Sequence, residues 1–197
     1  MAEQQPDKSR RCMLVAASVA AGGVATVAAG VPFVASMLPS ERAKAAGAPV
    51  EADISKLAPG ERMTVEWRGK PVWIVRRTPE MLKLIKDNDE RVSDPQSKKV
   101  MQPKYAANEF RAIKPEYLVL VGICTHLGCS PVEKFAVQAE AFASDWKGGF
   151  YCPCHGSLFD LAGRVYKNKP APDNLIVPPH KYLSDGRILI GEDEKGA

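Results

Sequence analysis

Two short runs near the middle of the chain carry most of its metal-binding side chains. The first box reads CTHLGC at residues 124–129 and the second box reads CPCHGS at residues 152–157; together they hold four of the five cysteines and two of the three histidines. A thiolate and a neutral imidazole both donate a lone pair to a soft or borderline transition metal. Six groups therefore compete for about four coordination positions, and two are left over. The pattern predicts a metal centre held by two loops.

The two boxes resemble the cluster-binding boxes of Rieske iron–sulfur proteins, the family found in quinol:cytochrome c oxidoreductases. The resemblance covers both boxes. It implies one 2Fe-2S cluster per chain, with two cysteines on one iron, two histidines on the other, and a disulfide between the leftover cysteines. In this sequence the implied ligands are Cys124, Cys152, His126 and His155, and the implied disulfide joins Cys129 and Cys154.

Histidine ligation sets what such a cluster does. Replacing two thiolates with neutral imidazoles raises the reduction potential to roughly −150 to +300 mV, against about −400 mV for plant-type ferredoxins. An oxidant of quinol needs this high range. Spacing alone does not separate the two histidines. The resemblance gives the catalytic role to His155 and the quinol contact to His155 and Leu127, which lies beside the exposed tip.

Hydroxyl groups near the cluster tune its potential. A hydrogen bond to a cluster sulfur stabilises the reduced, more negative state, so a nearby hydroxyl raises the potential. Ser157 occupies the serine position of the family, whereas Phe159 stands where the family pattern has a tyrosine. We therefore expect a potential below that of tyrosine-containing relatives but still in the high range.

A proline-containing run resembles the loop that covers the cluster in this family. The run is KPAP, in which Pro170, Ala171 and Pro172 follow Lys169, whereas the family usually has GPAP. We call residues 169–172 the proline loop. Prolines lower the entropy cost of holding a lid in place.

Between the boxes, residues 133–147 are interpreted as a surface insertion.

Three other interpretations of the boxes stay open. A structural zinc site uses the same ligand types, although zinc modules usually pair CxxC with HxxxH rather than one Cys and one His in each half. A catalytic cysteine with a histidine leaves the duplicated pattern unexplained. A Rieske electron carrier of another periplasmic enzyme, such as arsenite oxidase, shares the cluster and the export route.

The amino terminus predicts a membrane anchor. Residues 1–12 are polar and basic, and residues 13–38 contain no charge. At ~1.5 Å per residue the second stretch reaches about 39 Å as a helix, enough for the ~30 Å hydrocarbon core. Positive charges before the helix keep the amino end cytoplasmic.

Residues 9–14, SRRCML, resemble a twin-arginine export signal, which serves folded proteins. That route suits a cluster loaded before export and a disulfide that persists in an oxidising compartment. We expect a single-pass protein of the bacterial inner membrane with a periplasmic head. The AKA run at residues 43–45 offers the alternative of a removed signal, although the apolar stretch exceeds the ~7–15 residues of cleaved signals.

The rest of the chain predicts a linker followed by a β domain. Residues 39–52 are small and polar, which predicts a flexible hinge linker. Residues 53–197 form the head. The predicted fold class is mainly β: a Rieske-type antiparallel β-sheet domain with cluster-binding loops, plus one amino-terminal transmembrane helix. Strands are predicted at 63–67, 71–76, 117–123, 149–151, 175–177 and 187–190, and a helix at Pro79–Lys86 with Thr78 as its cap.

Charge argues against a nucleic-acid partner. The formal net charge of +4 arises from basic residues spread among 23 acidic ones, with no basic and aromatic run. The resemblance instead implies an electron-transfer subunit that accepts an electron and a proton from quinol. The electron then passes to a c-type cytochrome by movement of the head. The implied partners are quinol, the membrane, and the cytochrome b and c-type cytochrome subunits of a dimeric complex.

Overall fold

The computed structural model describes residues 7–194 and divides into two compact units, Met1–Ala45 and Ala46–Ala197. Each unit is described by itself. The first six residues of the predicted polar amino terminus lie outside the described residues.

The first unit consists mainly of one long helix. Helix α1, Lys8–Ala35, begins at Asp7, whose carboxylate accepts a hydrogen bond of 3.0 Å from the amide of Ser9. Its apolar window has a mean hydropathy of 2.0, and by length and composition it could cross a membrane. The helix starts five residues before the predicted stretch 13–38 and ends three residues earlier. Pro32 lies inside its last turn, where the helix is about to end.

The second unit contains three antiparallel sheets of three strands each, ordered β1-β9-β8, β2-β3-β4 and β5-β6-β7. The fold is therefore mainly β, as predicted. Its elements, together with α2 before them, are α2 Glu41–Ala46, β1 Val50–Asp53, β2 Arg62–Trp67, β3 Lys70–Arg76, α3 Pro79–Lys86, a 3-10 helix Lys104–Ala106, β4 Tyr117–Val121, β5 Val132–Lys134, β6 Gly149–Cys152, β7 Ser157–Phe159, β8 His180–Ser184 and β9 Arg187–Ile190.

The strand β3 separates two hydrophobic cores. Side chains alternate between the two faces of a strand. Val72 and Ile74 belong to a core shared with β1 and β9, whereas Trp73 and Val75 belong to a core shared with β6 and β7. The second core also contains the two free thiols of the boxes. In it the ring of Trp73 stacks on Phe150 with centroids 5.2 Å apart.

Two expectations about local structure need correction. The predicted linker 39–52 contains α2 and β1, and β1 pairs with β9 from Val50↔Ile190 to Asp53↔Arg187. The regular structure of the head therefore begins at Val50, because that short strand completes the edge of a sheet whose other strands come from the end of the chain.

Residues 175–177 were predicted as a strand, but these described residues join no sheet. Pro178 and Pro179 follow them and have no backbone N–H to donate to a ladder.

The segment between the boxes is packed rather than loose. The indole of Trp146 is buried and donates a hydrogen bond of 2.8 Å to the carbonyl of Lys134. Phe142 stacks on Tyr151 at 4.1 Å between centroids. Since Tyr151 precedes a cysteine of the second box, the insertion covers one side of the strand that delivers this box.

Candidate metal centre

The two boxes form turns of the same kind. The first box follows β4, and the second joins β6 to β7. In the first, the amide of Gly128 donates to the carbonyl of Cys124 at 3.1 Å; in the second, the amide of Gly156 donates to the carbonyl of Cys152 at 3.0 Å. The two glycines have φ of 84° and 78°, a left-handed conformation that glycine adopts without strain. The duplicated sequence pattern thus becomes a duplicated turn.

A disulfide joins the two turns. It connects Cys129 and Cys154, whose Cα atoms lie 6.7 Å apart and whose sequence separation is 25 residues. The disulfide that the resemblance implied is therefore present in the structure. It leaves Cys124, Cys152 and the exposed Cys12 of the first unit as free thiols.

The remaining cysteines and histidines meet as two like pairs. Cys124 and Cys152 are 3% and 2% exposed, and both belong to the same hydrophobic core. The imidazole rings of His126 and His155 meet edge to face with centroids 4.7 Å apart. The Nδ1 atom of His126 is buried and has no hydrogen-bond partner among residues 7–194. That nitrogen has no hydrogen-bond partner among the described residues and the two thiols are outside the disulfide, so all three can act as donor atoms to a metal.

The protein environment of Cys152 acts on its sulfur in two directions. Burial raises the pKa of the thiol, and the neighbouring Cys124 raises it further. The backbone amides of Cys154 and His155 lower the pKa because they donate hydrogen bonds to the sulfur. These amides provide the hydrogen bonding to sulfur that favours the more negative state of an iron–sulfur group.

The arrangement of donors distinguishes between kinds of metal site. A single zinc ion holds its ligands at about 2.0–2.3 Å, so all ligand atoms lie within roughly 4 Å of one another. The four predicted ligands all lie in the part of the chain that the structure describes. No three of them have donor atoms that lie within 4.8 Å of one another. Among the described residues, the group that does is Cys129, Cys152 and Cys154, and two of these sulfurs are already bonded in the disulfide. A thiol pair beside an imidazole pair fits a binuclear group with unlike ends.

The predicted tuning positions are both buried near the thiols. The Ser157 hydroxyl accepts a hydrogen bond of 3.0 Å from the amide of Ala171. This is its one hydrogen bond among the described residues, so its proton stays available for a sulfur. Phe159 is fully buried and belongs to the same hydrophobic core as Cys124 and Cys152.

The proline loop lies close to both boxes. Ala171 is buried, whereas Pro170 and Pro172 are exposed. The left-handed residue here is Asn168, with φ of 58°, and Lys169 has no positive φ. Replacement of the family glycine by lysine therefore introduces no backbone strain at that position.

Several supporting residues were missed from sequence. The Thr125 hydroxyl donates a 2.6 Å hydrogen bond to the carbonyl of Asp173, which ties the first box to the segment after the proline loop. Beneath the second box, Arg164 pairs with Asp160 at 2.8 Å, and both side chains are fully buried. The position of Thr125 between a cysteine and a histidine was a weak sequence signal for its contact with Asp173. No local sequence pattern indicated the pair of Arg164 and Asp160.

The exposed tip carries one large apolar side chain. Leu127 follows His126 in the chain and is 71% exposed. The turn that carries it is nevertheless closed by backbone hydrogen bonds. The side chain of His155 is also exposed, whereas that of His126 is half-buried. The site therefore presents one histidine and one leucine outward.

Comparison with known proteins identifies the family. Residues 48–179 match the family model described as the Rieske [2Fe-2S] domain. The chain belongs to the Rieske [2Fe-2S] domain family. Residues 1–40 match a second family model, described as the "Ubiquitinol-cytochrome C reductase Fe-S subunit TAT signal". The resemblance in the two boxes, the predicted fold class and the twin-arginine signal are thereby confirmed, and the cofactor of this Rieske protein is a [2Fe-2S] cluster.

Two relatives that this Rieske protein matches over nearly their whole length carry the same name. The ubiquinol-cytochrome c reductase iron-sulfur subunit of Allochromatium vinosum is 59% identical over 197 residues, covering 100% of this chain and 95% of that protein. The subunit of the same name from Bradyrhizobium diazoefficiens is 40% identical over 184 residues, covering 93% and 94%. A solved structure titled "Hyperthermophilic respiratory Complex III" is 28% identical, with a TM-score of 0.46, covering 90% of this chain and 98% of that one.

Proposed function

We propose that this chain is the electron-transfer subunit of a quinol:cytochrome c oxidoreductase, with Cys124 and Cys152 holding one iron and His126 and His155 the other. The observation that carries the proposal is the separation of donors into a buried thiol pair and an imidazole pair, in which the His155 side chain is exposed. When bound, the cluster supplies a one-electron acceptor in the potential range of mixed cysteine and histidine ligation.

His155 is the catalytic residue of this proposal. Its side chain is exposed at the tip, so a quinol hydroxyl can hydrogen-bond to the imidazole nitrogen that does not face the metal. That nitrogen holds the proton released when quinol is oxidised. Leu127 offers the apolar contact for the quinol ring.

The surrounding residues orient and shield the site. The disulfide between Cys129 and Cys154 keeps the two turns together. Buried Ala171 and the proline loop exclude water from the side of Ser157. When the cluster is bound, the Ser157 hydroxyl would donate to one of its sulfurs, and the absence of a hydroxyl at Phe159 would leave the potential below that of tyrosine-containing relatives.

The anchor and the linker place this chemistry at a membrane. The twin-arginine match and the apolar helix α1 support a membrane-anchored subunit. In the proposal the membrane is the bacterial inner membrane, the amino terminus is cytoplasmic and the head is periplasmic. Residues 39–49 then act as the hinge that lets the head deliver electrons from quinol near cytochrome b to a c-type cytochrome. The complex is a dimer.

Low-temperature electron paramagnetic resonance on membranes that contain the complex tests the proposal. Ascorbate reduction should produce a [2Fe-2S] signal with the low average g value of mixed ligation, and Cys124→Ser should abolish it. Cys12→Ser is the matched control, because Cys12 is a free thiol outside the site, and it should keep the signal. Zinc in place of iron in the natively loaded chain would contradict the proposal.

The names of the relatives favour this assignment over the arsenite oxidase alternative. Both curated proteins described above are named as ubiquinol-cytochrome c reductase subunits, and this chain matches them over nearly their whole length. A structural zinc module receives no support from the spacing of the donor atoms.

A further inference from the structure

A segment without helix or strand, residues 94–102, is nevertheless well fixed; we call it the strap. The carboxylate of Asp94 accepts hydrogen bonds from the amides of Lys98 and Lys99 at 2.9 and 3.0 Å. The side-chain amide of Gln102 donates to the carbonyls of Ser97 and Lys99 at 2.6 and 2.7 Å. These contacts close the strap on itself and define where the Lys99 side chain starts.

The strap reaches the segment that follows the proline loop. The Lys99 ammonium donates to the carboxylate of Asp173 at 2.7 Å and to the carbonyl of Pro172 at 3.3 Å. The side chain of Asn174 donates to the carbonyl of Asp94 at 3.3 Å. Three consecutive residues, 172–174, are therefore held from the strap.

A buried arginine adds a fourth point of attachment. The Nη2 atom of Arg111 donates to the carbonyl of Leu175 at 2.6 Å and lies 3.4 Å from the side-chain oxygen of Gln102 in the strap. Arg111 is fully buried, so this attachment is not screened by solvent. Residues 170–175, which we call the covering segment, are thus held by the strap and by Arg111.

The covering segment also contacts both boxes. The Asp173 carbonyl accepts the hydrogen bond from Thr125 in the first box at 2.6 Å. The Ala171 amide donates to the hydroxyl of Ser157 at the end of the second box at 3.0 Å. Asp173 is therefore held by Lys99 through its carboxylate and by Thr125 through its carbonyl.

We propose that Lys99 is a positioning residue for the cluster site: its ammonium fixes the covering segment through Asp173, and so fixes the hydrogen bonds that this segment makes to Thr125 and Ser157. The inference rests on the proposed function for its effect on electron transfer. The hydrogen bond from Lys99 to Asp173 also raises the pKa of the Lys99 ammonium, so the lysine keeps its charge at neutral pH.

The exposure of this ion pair predicts a local effect. The Lys99 side chain is 59% exposed, and exposed ion pairs add little to global stability. Loss of the pair should therefore leave unfolding nearly unchanged. It should increase the frequency with which the covering segment opens, since local opening needs far less free energy than unfolding.

The experiment compares Lys99→Met, Lys99→Arg and Lys98→Met in the full chain within the membrane complex. Lys98 is the matched control because it is an exposed lysine of the same strap whose side chain makes no hydrogen bond or ion pair with residues 7–194. Hydrogen exchange is measured at the Ala171 and Leu175 amides, which are bonded to Ser157 and Gly163. Lys99→Met should exchange ~2- to 5-fold faster there, as expected for loss of an exposed pair.

The midpoint potential of the cluster provides the second measurement. Lys99→Met should lower it slightly, because the bond from the Ala171 amide to the Ser157 hydroxyl is broken more often. Lys99→Arg and Lys98→Met should keep both exchange and potential near wild type. Unchanged exchange in Lys99→Met, or equal changes in Lys99→Met and Lys98→Met, would overturn the inference. A wild-type chain without the [2Fe-2S] signal would instead refute the proposed function, and the exchange data would still test the strap.

Discussion

The Ser157 hydroxyl and the Ala171 amide form a 3.0 Å hydrogen bond in which the hydroxyl is the acceptor. This direction matters because an accepted bond leaves the hydroxyl proton free to point elsewhere. Ser157 is fully buried, and its strand partner is Cys152, one of the two free thiols of the boxes. In the proposed function, this proton is the one that Ser157 would donate to a sulfur of the centre.

Replacement of Ser157 by alanine should lower the midpoint potential of the cluster. A hydrogen bond that is about 1.4 kcal/mol stronger in the reduced state corresponds to ~59 mV for one electron. A redox titration followed by electron paramagnetic resonance measures the shift. Ser130→Ala is the matched control, since the Ser130 hydroxyl donates to the carbonyl of Gly122 and is already used. Equal potentials for wild type and Ser157→Ala would disprove the tuning role.

A hydroxyl added at Phe159 should act in the opposite direction. The Phe159 ring is fully buried in the core that contains Cys124 and Cys152. A tyrosine hydroxyl there can stabilise the reduced state by donating to a sulfur, so Phe159→Tyr should raise the potential by a shift of the same order, ~59 mV. The same titration applies, with Phe150→Tyr as the control because it adds a hydroxyl on the neighbouring strand. No rise in Phe159→Tyr would contradict the prediction.

The parts of this protein that were predictable are local in sequence. Each box is a contiguous run of six residues whose spacing indicates its chemistry, and α3 carries its own start signal in Thr78, which caps it as predicted. The apolar helix is likewise defined by one uninterrupted stretch.

The parts that were missed depend on distant residues. Lys99 and Asp173 are 74 positions apart, and nothing near either residue indicates the other. The strand Val50–Asp53 is regular only because β9 supplies its hydrogen bonds. Residues 175–177 show the converse: Leu175 and Val177 are buried like strand residues, but the prolines after them remove the donors that a ladder needs.

Loss of the disulfide should weaken the hold of the two turns on each other. Removal of both Cys129 and Cys154 should cost about 3–4 kcal/mol for a loop of this length. Both must be replaced, because a single replacement leaves a free sulfur within 4.8 Å of Cys152. The Cys129→Ala/Cys154→Ala variant should lose its cluster faster on heating, as followed by visible absorbance. Cys12→Ser serves as the control, and equal rates in the two variants would rule out the role.

The buried ion pair of Asp160 and Arg164 should contribute far more to the stability of the fold than an exposed ion pair does. Both side chains are fully buried. Among residues 7–194, Asp160→Asn leaves the Arg164 guanidinium with Asp89 as its one acidic partner, so we expect a loss of about 3 kcal/mol, the lower end for a broken buried pair. Asp185→Asn removes an exposed partner of Lys114 and should change stability little. Denaturant unfolding of the two variants measures the difference, and similar losses would refute the argument.

A buried histidine outside the cluster site should make stability depend on pH. His180 is 1% exposed, and its Nδ1 lies 2.9 Å from the carbonyl of Pro178, to which it donates. Burial lowers the pKa of His180 below the 6.5 of an exposed histidine. The unfolded chain therefore binds this proton first, so stability is full above pH 6.5 and is lost as the pH falls through the lower folded pKa. The nearby Tyr105 does not titrate here, since burial raises its pKa to about 12.

His180→Asn isolates this contribution. An asparagine side-chain amide can replace the Nδ1 donor to Pro178 but does not titrate, and the two box histidines are common to both proteins, so their titration cancels in the difference. The free energy of unfolding of the wild type should fall between pH 7 and pH 5 more steeply than that of the variant, by at most about 1.4 kcal/mol per pH unit for a single proton. Parallel pH profiles would show that His180 is protonated as easily in the folded chain as in the unfolded one, and that its burial has no energetic consequence.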